Sequence, residues 1–313
     1  MGIGVSTSRR DEGSQSIVKV LFLDHNRVLA DIMPHFETTN QINDAERVVV
    51  WSDVTWNERM IVEAAQRKGI PTITVQHGRR GTSRYYPPFN ERIKSDVLLV
   101  WGEADREALV SAGQDTNKIK VTGTTLFSHL KGRIPHKKKV VVFSPDHWDK
   151  ELEENLNVAK ELNKLRGVKT ITKLVDGNEP SLYKNPVVSH RDSPEHMEIV
   201  ANTLADADIV VSVADGTFEM LAMSLDIPVV TVTDWEPKAF GGDQRYAQGY
   251  RRIVSDGTTP TNLGNLKDTV IRELENPARL WRQRLTTIER DGGFRLNAKQ
   301  NIINAITEAT RLS

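Results

Sequence analysis

The stretch Ala207-Asp208-Ile209-Val210-Val211-Ser212-Val213-Ala214-Asp215-Gly216-Thr217-Phe218-Glu219-Met220-Leu221-Ala222 decides the fold. Its apolar run reads as a buried strand, the small residues after Ser212 as a tight turn, and the segment from Gly216 as a helix. A helix N-terminus leaves backbone N–H groups without intrahelical partners and carries the positive end of the helix dipole. Asp215, Gly216 and Thr217, with Ser212 just before them, are therefore candidates to hold phosphate oxygens. Glu219, about one turn further in, is placed for sugar hydroxyls. The following Leu225-Asp226-Ile227-Pro228-Val229-Val230-Thr231-Val232 reads as the next buried strand. Strand, phosphate turn, helix, strand is a nucleotide-binding unit.

Working outward, short apolar runs alternate with helical patterns from Ile17 onward, the signature of βαβ units and a parallel sheet. Strands are expected over 18–23, 47–51, 72–75, 97–101 and 120–122, with helices over 27–36, 57–68 and 104–112 between them. A second series gives strands over 140–143, 170–174, 187–189, 209–212, 229–232 and 252–254, with helices over 151–165, 194–204, 216–224 and 262–275. The fold class is α/β, with two Rossmann-like domains whose parallel sheets face a cleft between them. The expected divisions are a disordered lead-in at 1–16, an acceptor-side domain at 17–130, a linker at 131–139, a nucleotide-sugar domain at 140–275 and terminal helices at 276–313 that pack back across the domains. The linker carries Gly132, Pro135 and a basic run, and reads as solvated chain on which the two halves close, the alternative being a phosphate-binding basic strip.

Composition narrows the classes. The chain has 313 residues, 38% of them hydrophobic, enough for two cores. Lys plus Arg and Asp plus Glu number 42 each, so no global field draws nucleic acid or an anionic membrane. Cysteine is absent, which excludes disulfides, thiolate metal sites and a cysteine nucleophile. No apolar run approaches the roughly 20 residues of a membrane-spanning helix, and the polar start lacks a secretory segment, so a cytoplasmic location is expected.

In open parallel sheets, ligands bind beyond the carboxyl ends of the strands. In the first half those ends are Asp24-His25-Asn26-Arg27, Ser52-Asp53 and Gln76-His77-Gly78. His77 is the first choice for a base or acceptor-orienting group, since imidazole titrates near neutrality, with Asp53, Asp24 and His25 behind it. Asp24 and Asp53 also suit helix capping. The loop 79–89 mixes arginines with aromatics and reads as solvated chain or an acceptor lid. In the second half, Ser144 and His147 occupy one strand-end loop, and Lys173 ends another strand, either exposed or neutralising a diphosphate. Glu195 and His196 read as helix-start residues. The Asp146-His147-Trp148-Asp149 cluster matches no standard metal spacing, and no metal site is expected. There is no Gly-x-Gly-x-x-Gly after the first strand, no phosphate-loop lysine motif and no Gly-x-Ser-x-Gly, so dehydrogenase, kinase and hydrolase readings lose their support.

Taken together, Gly69-Ile70-Pro71-Thr72-Ile73-Thr74-Val75-Gln76-His77-Gly78, Asp96-Val97-Leu98-Leu99-Val100-Trp101-Gly102 with Lys118-Ile119-Lys120-Val121-Thr122-Gly123, and the 208–228 unit resemble a compact GT-B glycosyltransferase. The similarity is to bacterial surface-polymer transferases, which include CDP-glycerol glycerophosphotransferases and capsule Kdo transferases. It implies a catalytic or acceptor-positioning His77, phosphate contacts from Asp215, Gly216 and Thr217, and a ribose contact from Glu219. Gly216-Thr217 stands where glycerophosphotransferases carry a Ser-Ser pair, which implies a sugar nucleotide as donor. The expected activity is metal-independent transfer of a sugar from a UDP, CDP or CMP donor to a hydroxyl on a glycan, a lipid-linked molecule or a nucleic acid. The alternatives are a sugar-nucleotide 2-epimerase of the same fold, a glycosyltransferase acting on modified DNA bases and a noncatalytic nucleotide-sugar-binding subunit.

Overall fold

The computed structural model describes residues 18–23, 31–51, 56–76, 94–111, 113–134, 138–145, 152–175, 179–190, 193, 195–213, 216–233 and 257–310. Two six-stranded sheets organise them, and every strand pair within each is parallel. The first contains β1 (Lys19–Leu23), β2 (Glu37–Thr39), β3 (Arg47–Val50), β4 (Thr72–Val75), β5 (Val97–Val100) and β6 (Ile119–Val121) in the order β2-β1-β3-β4-β5-β6. The second contains β7 (Lys139–Ser144), β8 (Val168–Leu174), β9 (Pro186–Val188), β10 (Ile209–Ser212), β11 (Val229–Val232) and β12 (Thr259–Thr261) in the order β12-β11-β10-β7-β8-β9. In both, the chain starts near the middle, builds one side and returns to build the other, as doubly wound sheets do. The strands β4, β5, β10 and β11 are buried along their whole length because helices cover both faces, which is why they read as unbroken apolar runs.

Helices α1 (Trp56–Arg67), α2 (Glu103–Ser111), α3 (Leu152–Leu162), α4 (His196–Ala205) and α5 (Thr217–Ser224) lie within the two halves. Three more among the described residues, Leu266–Glu275, Trp281–Gly292 and Ala298–Glu308, follow them. The last sends Ile302, Ala305 and Ile306 into a core with Val20, Val49, Ile73 and Leu99 of the first sheet. The helix before it is tied to the second half by Arg284, which is buried and donates to Asp226 at 2.9 Å and to the Pro277 carbonyl at 2.8 Å.

Several expectations need correction. The helix expected over 27–36 is a 3-10 turn at Met33–His35 where it is described, because Pro34 supplies no N–H to continue an α-helix. The short, charged edge strand β2 carries no apolar alternation and escaped the sequence reading. The strand expected over 252–254 lies outside the described residues, and the edge strand found, β12, contains Pro260, tolerated at an edge where one N–H is dispensable. The segment 131–139 is not a free solvated linker where described. Lys131 bonds Asn202 at 2.8 Å, Ile134 N–H donates to the Ala205 carbonyl at 2.8 Å, and Arg133 pairs with Asp208 at 3.1 Å. Asp208 also lies 3.6 Å from Lys139, so the basic run is answered by an acid and by the C-terminal end of α4.

Just before this segment, Gly123 lies against Gly293 from much later in the chain. Gly123 and Gly293 both take positive φ, +82° and +59°. A Cβ on Gly293 would stand 2.5 Å from the Trp101 carbonyl oxygen and 2.9 Å from the Gly123 Cα. One on Gly102 would stand 2.1 Å from the Arg290 carbonyl oxygen. Only hydrogen fits there.

Gly102→Ala should lower the unfolding free energy by about 3 kcal/mol, since forced overpacking against backbone typically costs 1–3 kcal/mol or more. Gly132→Ala, with nothing within 4 Å of the added carbon, should leave the urea midpoint near wild type. A wild-type midpoint for Gly102→Ala would show that the helices part without cost. Tyr183 provides a second check, because its buried hydroxyl finds no hydrogen-bond partner among the described residues and burial raises its pKa. Above pH 10 the unfolded chain loses this proton before the folded chain does, so stability falls with rising pH. Tyr183→Phe should gain about 1 kcal/mol at pH 7 and flatten that fall, as read from urea unfolding at pH 7 and pH 10.5. A less stable variant would mean that the hydroxyl is bonded after all.

Candidate functional site

The second sheet changes direction of winding between β7 and β10, and the crevice at the carboxyl ends of those strands is the expected ligand position. Register pairs Ser212 with Ser144 across them, and Thr231 of β11 with Ser212. On the other side Phe143 pairs with Thr172, so Lys173 stands one residue beyond, level with Ser144. Thr231, Ser212, Ser144 and Lys173 thus form a polar row across four adjacent strands. Side chains level with one another on parallel strands share a face. Two residues earlier on each strand come Val229, Val210, Val142 and Ile171, all members of one apolar cluster that also holds Met220, Leu221 and Met223 of α5. The polar row therefore ends the face that α5 covers.

Burial sharpens the point. Thr231, Ser212 and Lys173 are 1%, 2% and 5% exposed, while Ser144 is half-buried. Four polar side chains in a row at the edge of a valine-rich face are costly unless their hydrogen-bonding groups and charge are satisfied. The Lys173 ammonium stands 5.9 Å from the centre of the Phe218 ring, within cation–π range. At the other end of the row the Thr231 hydroxyl donates to Glu219 Oε1 at 3.3 Å, and Glu219 is 1% exposed. Glu219 is thus lodged between α5 and β11.

Above the row, α5 begins at Thr217. Its N-cap, Gly216, has extended backbone and no side chain to cap the first turn, and a Cβ added there would meet nothing within 4 Å. The N–H groups of a helix's first turn have no carbonyl partners within the helix itself. Of the residues expected at this site, Ser144, Lys173, Ser212, Gly216 and Thr217 are brought together, and Glu219 lies beneath them. Asp215 and His147 lie outside the described residues. So do His77, Asp53, Asp24 and His25, the whole catalytic set expected from the first half. Lys173 is not an exposed strand-end lysine: it is 5% exposed, on a strand paired on both sides, with the Phe218 ring beside its ammonium. Phe218 itself went unread, although an aromatic in the first turn of a helix after a small-residue turn was a usable signal. A polar hollow of about 530 Å3 lies at the ends of β11 and β12, lined by Thr233, Thr261, Asn262, Asn265, Asp268 and Arg272.

At the first sheet, Gln76 ends β4 wholly buried. Its amide nitrogen donates to Asp105 at 2.7 Å and its amide oxygen accepts from the Trp101 N–H at 2.9 Å. The Trp101 indole donates to the Gln76 carbonyl at 2.8 Å. The peptide leading to His77 is thereby clamped to the end of β5 and the start of α2.

No protein-family model and no curated protein sequence matches the chain. Solved structures do. A UDP-GlcNAc 2-epimerase from Neisseria meningitidis bound to UDP-GlcNAc superposes with a TM-score of 0.61 at 14% identity, covering 93% of this chain and 99% of that one. The wall teichoic acid polymerase TagF gives 0.57 at 15% identity over 93% and 88%. Anabaena Alr3699/HepE in complex with UDP-glucose gives 0.55 at 14% identity over 93% and 98%.

Thr231→Val keeps the shape and removes the donor to Glu219. It should destabilise the protein by about 1–3 kcal/mol, the cost of stripping a bond from a buried acceptor, measured by urea unfolding. An unchanged midpoint would show that Glu219 draws nothing from β11. At these identities the likeness speaks for architecture, and the chain has the GT-B-like fold of two doubly wound parallel sheets.

Proposed function

We propose that the second half binds a nucleotide sugar, with its diphosphate between Ser144, Ser212 and the Gly216–Thr217 turn, and that the glycosyl group passes to a hydroxyl acceptor presented by the first half. The observation that carries this reading is the buried polar row at the switch point, set beneath a helix N-terminus with no side-chain cap. Charge develops on the diphosphate as the sugar leaves. First-turn N–H groups and the Lys173 ammonium, held in a low-dielectric setting, stabilise that charge without reorganising. This supplies the electrostatic help that a divalent ion gives in other transferases. His77, carried on the clamped end of β4, takes the acceptor proton or orients the acceptor, with Asp53, Asp24 and His25 as the other first-half groups. Glu219 serves the ribose by way of its buried carboxylate, which Thr231 orients.

Support for the nucleotide comes from the fold neighbours, two of which were solved with a UDP sugar bound. A second reading has an observation of its own. Two UDP-GlcNAc 2-epimerases superpose with TM-scores of 0.61 and 0.63, against 0.57 and 0.55 for TagF and HepE. Incubation with UDP-N-acetylglucosamine and no acceptor separates the two readings, since an epimerase inverts C2 under those conditions and a transferase does not. Proton NMR of the sugar reads the result.

Lys173→Met and Thr217→Ala should each weaken UDP binding about tenfold or more in calorimetry, because a hydrogen bond to a charged group contributes roughly 1.5–3 kcal/mol. Wild-type affinity in both variants would remove the diphosphate from this site. With a turnover assay in hand, His77→Ala should lower kcat by about 10² to 10⁴ while leaving UDP affinity unchanged. Full turnover would make the histidine structural and move the base to Asp53 or Asp24.

A further inference from the structure

Lys173 and Phe218 come together from two different elements. On β8, Lys173 stands two residues beyond Ile171 and therefore on the face that α5 covers, where it is 5% exposed. Phe218 leaves the first turn of α5 and packs, half-buried, against the same apolar cluster. β8 and β10, the strand that leads to α5, have β7 between them, so they lie roughly 10 Å apart. The two side chains bridge that gap, with the ammonium 5.9 Å from the ring centre. Ser144 closes the strand between them.

This contact fixes what the strand cannot. A lysine ammonium rides on a flexible four-carbon stem, so β8 sets the position of the Cα and leaves the charge to be placed by its surroundings. A phenylalanine ring turns about only two bonds, and this one belongs to the residue after Thr217, in the helical turn whose N–H groups lack carbonyl partners within the helix. The ring and those N–H groups form one rigid unit, and a cation drawn to the ring takes its place relative to that turn. The negative face of the ring supplies the attraction. A carboxylate in the same place would cancel the charge of the ammonium, whereas a ring holds the cation and leaves its charge to act on an anion.

We propose that Phe218 is a positioning residue, whose ring holds the Lys173 ammonium where the diphosphate binds. This role rests on the nucleotide site proposed above and adds to it the side chain that places its cation. The Phe218 side chain acts through Lys173 alone, so its substitution is felt only by ligands that carry phosphate.

Titrations of the full chain with UDP and with uridine test it without an assay of turnover. Phe218→Leu keeps the apolar bulk and removes the ring. It should weaken UDP binding about fivefold or more, the order of one desolvated cation–π contact, and leave uridine binding unchanged. Phe218→Tyr, which keeps the ring face, should restore the wild-type affinity. Lys173→Met combined with Phe218→Leu should lose no more UDP affinity than Lys173→Met alone, because two residues that act through one contact are not additive. Equal losses for UDP and uridine, or additive losses in the double variant, would make Phe218 a packing residue and overturn the proposal. NMR of the ligand-free wild type keeps the test open should Phe218→Leu fold poorly. A nuclear Overhauser contact is expected between the Phe218 ring protons and the Lys173 ε-methylene, whose signal is identified by its loss in Lys173→Met, and its absence would overturn the role of Phe218. A wild type that binds none of UDP, CDP and GDP would overturn the nucleotide reading and this role with it, even with that contact present. Nucleotide binding without the contact overturns the role of Phe218 alone.

Discussion

The close approach of backbone at Gly102, Gly123, Gly292 and Gly293 is the constraint on which the rest of the structure depends. Stretches of chain far apart in sequence meet there, and the spacing leaves no room for a Cβ at Gly102 or Gly293. With the backbones touching, Trp101 and Leu126 from one side and Met220 and Ile288 from the other share one buried cluster. Contact pairs on the surface, such as Arg290 with Glu107 at 3.1 Å, add little, because an exposed ion pair contributes only about 0–1 kcal/mol. Burial without side chains at the crossing, rather than charge at the rim, holds the halves together.

From this crossing the candidate chemistry extends in two directions. Toward the second sheet lies α5, whose buried residues fix the height of its N-terminus over the row Thr231, Ser212, Ser144 and Lys173. Toward the first sheet lies Gln76, whose bonds set the exit of β4. Lys173, 5% exposed, stands at the same end of the sheet with its ammonium 5.9 Å from the centre of the Phe218 ring.

Much of this was legible in the sequence, and the reasons are specific. Ile209–Ser212 and Val229–Val232 were found at their observed bounds because central parallel strands are continuous apolar runs. Ser212, Ser144 and Lys173 were singled out because each is a polar residue closing such a run. Their alignment into a single row was not legible, since it depends on register across β10, β7 and β8, which one-dimensional pattern does not carry. Edge elements failed for the opposite reason: Glu37–Thr39 and Thr259–Thr261 are short, polar or Pro-containing, and look like loop. The basic run 131–139 looked like linker because its partners, Asp208 and the end of α4, come some 70 residues later. The glycine crossing was hidden too, as close approach is a property of two distant segments at once.

The most direct test of the central claim is a crystal structure of the chain with UDP. Diphosphate density in hydrogen-bond reach of Ser144, Ser212 and the first-turn N–H groups of Thr217 and Phe218, with the Lys173 ammonium turned toward it, is the predicted result. Nucleotide bound instead in the hollow beside Thr261 and Arg272, or at the first sheet alone, would contradict the account.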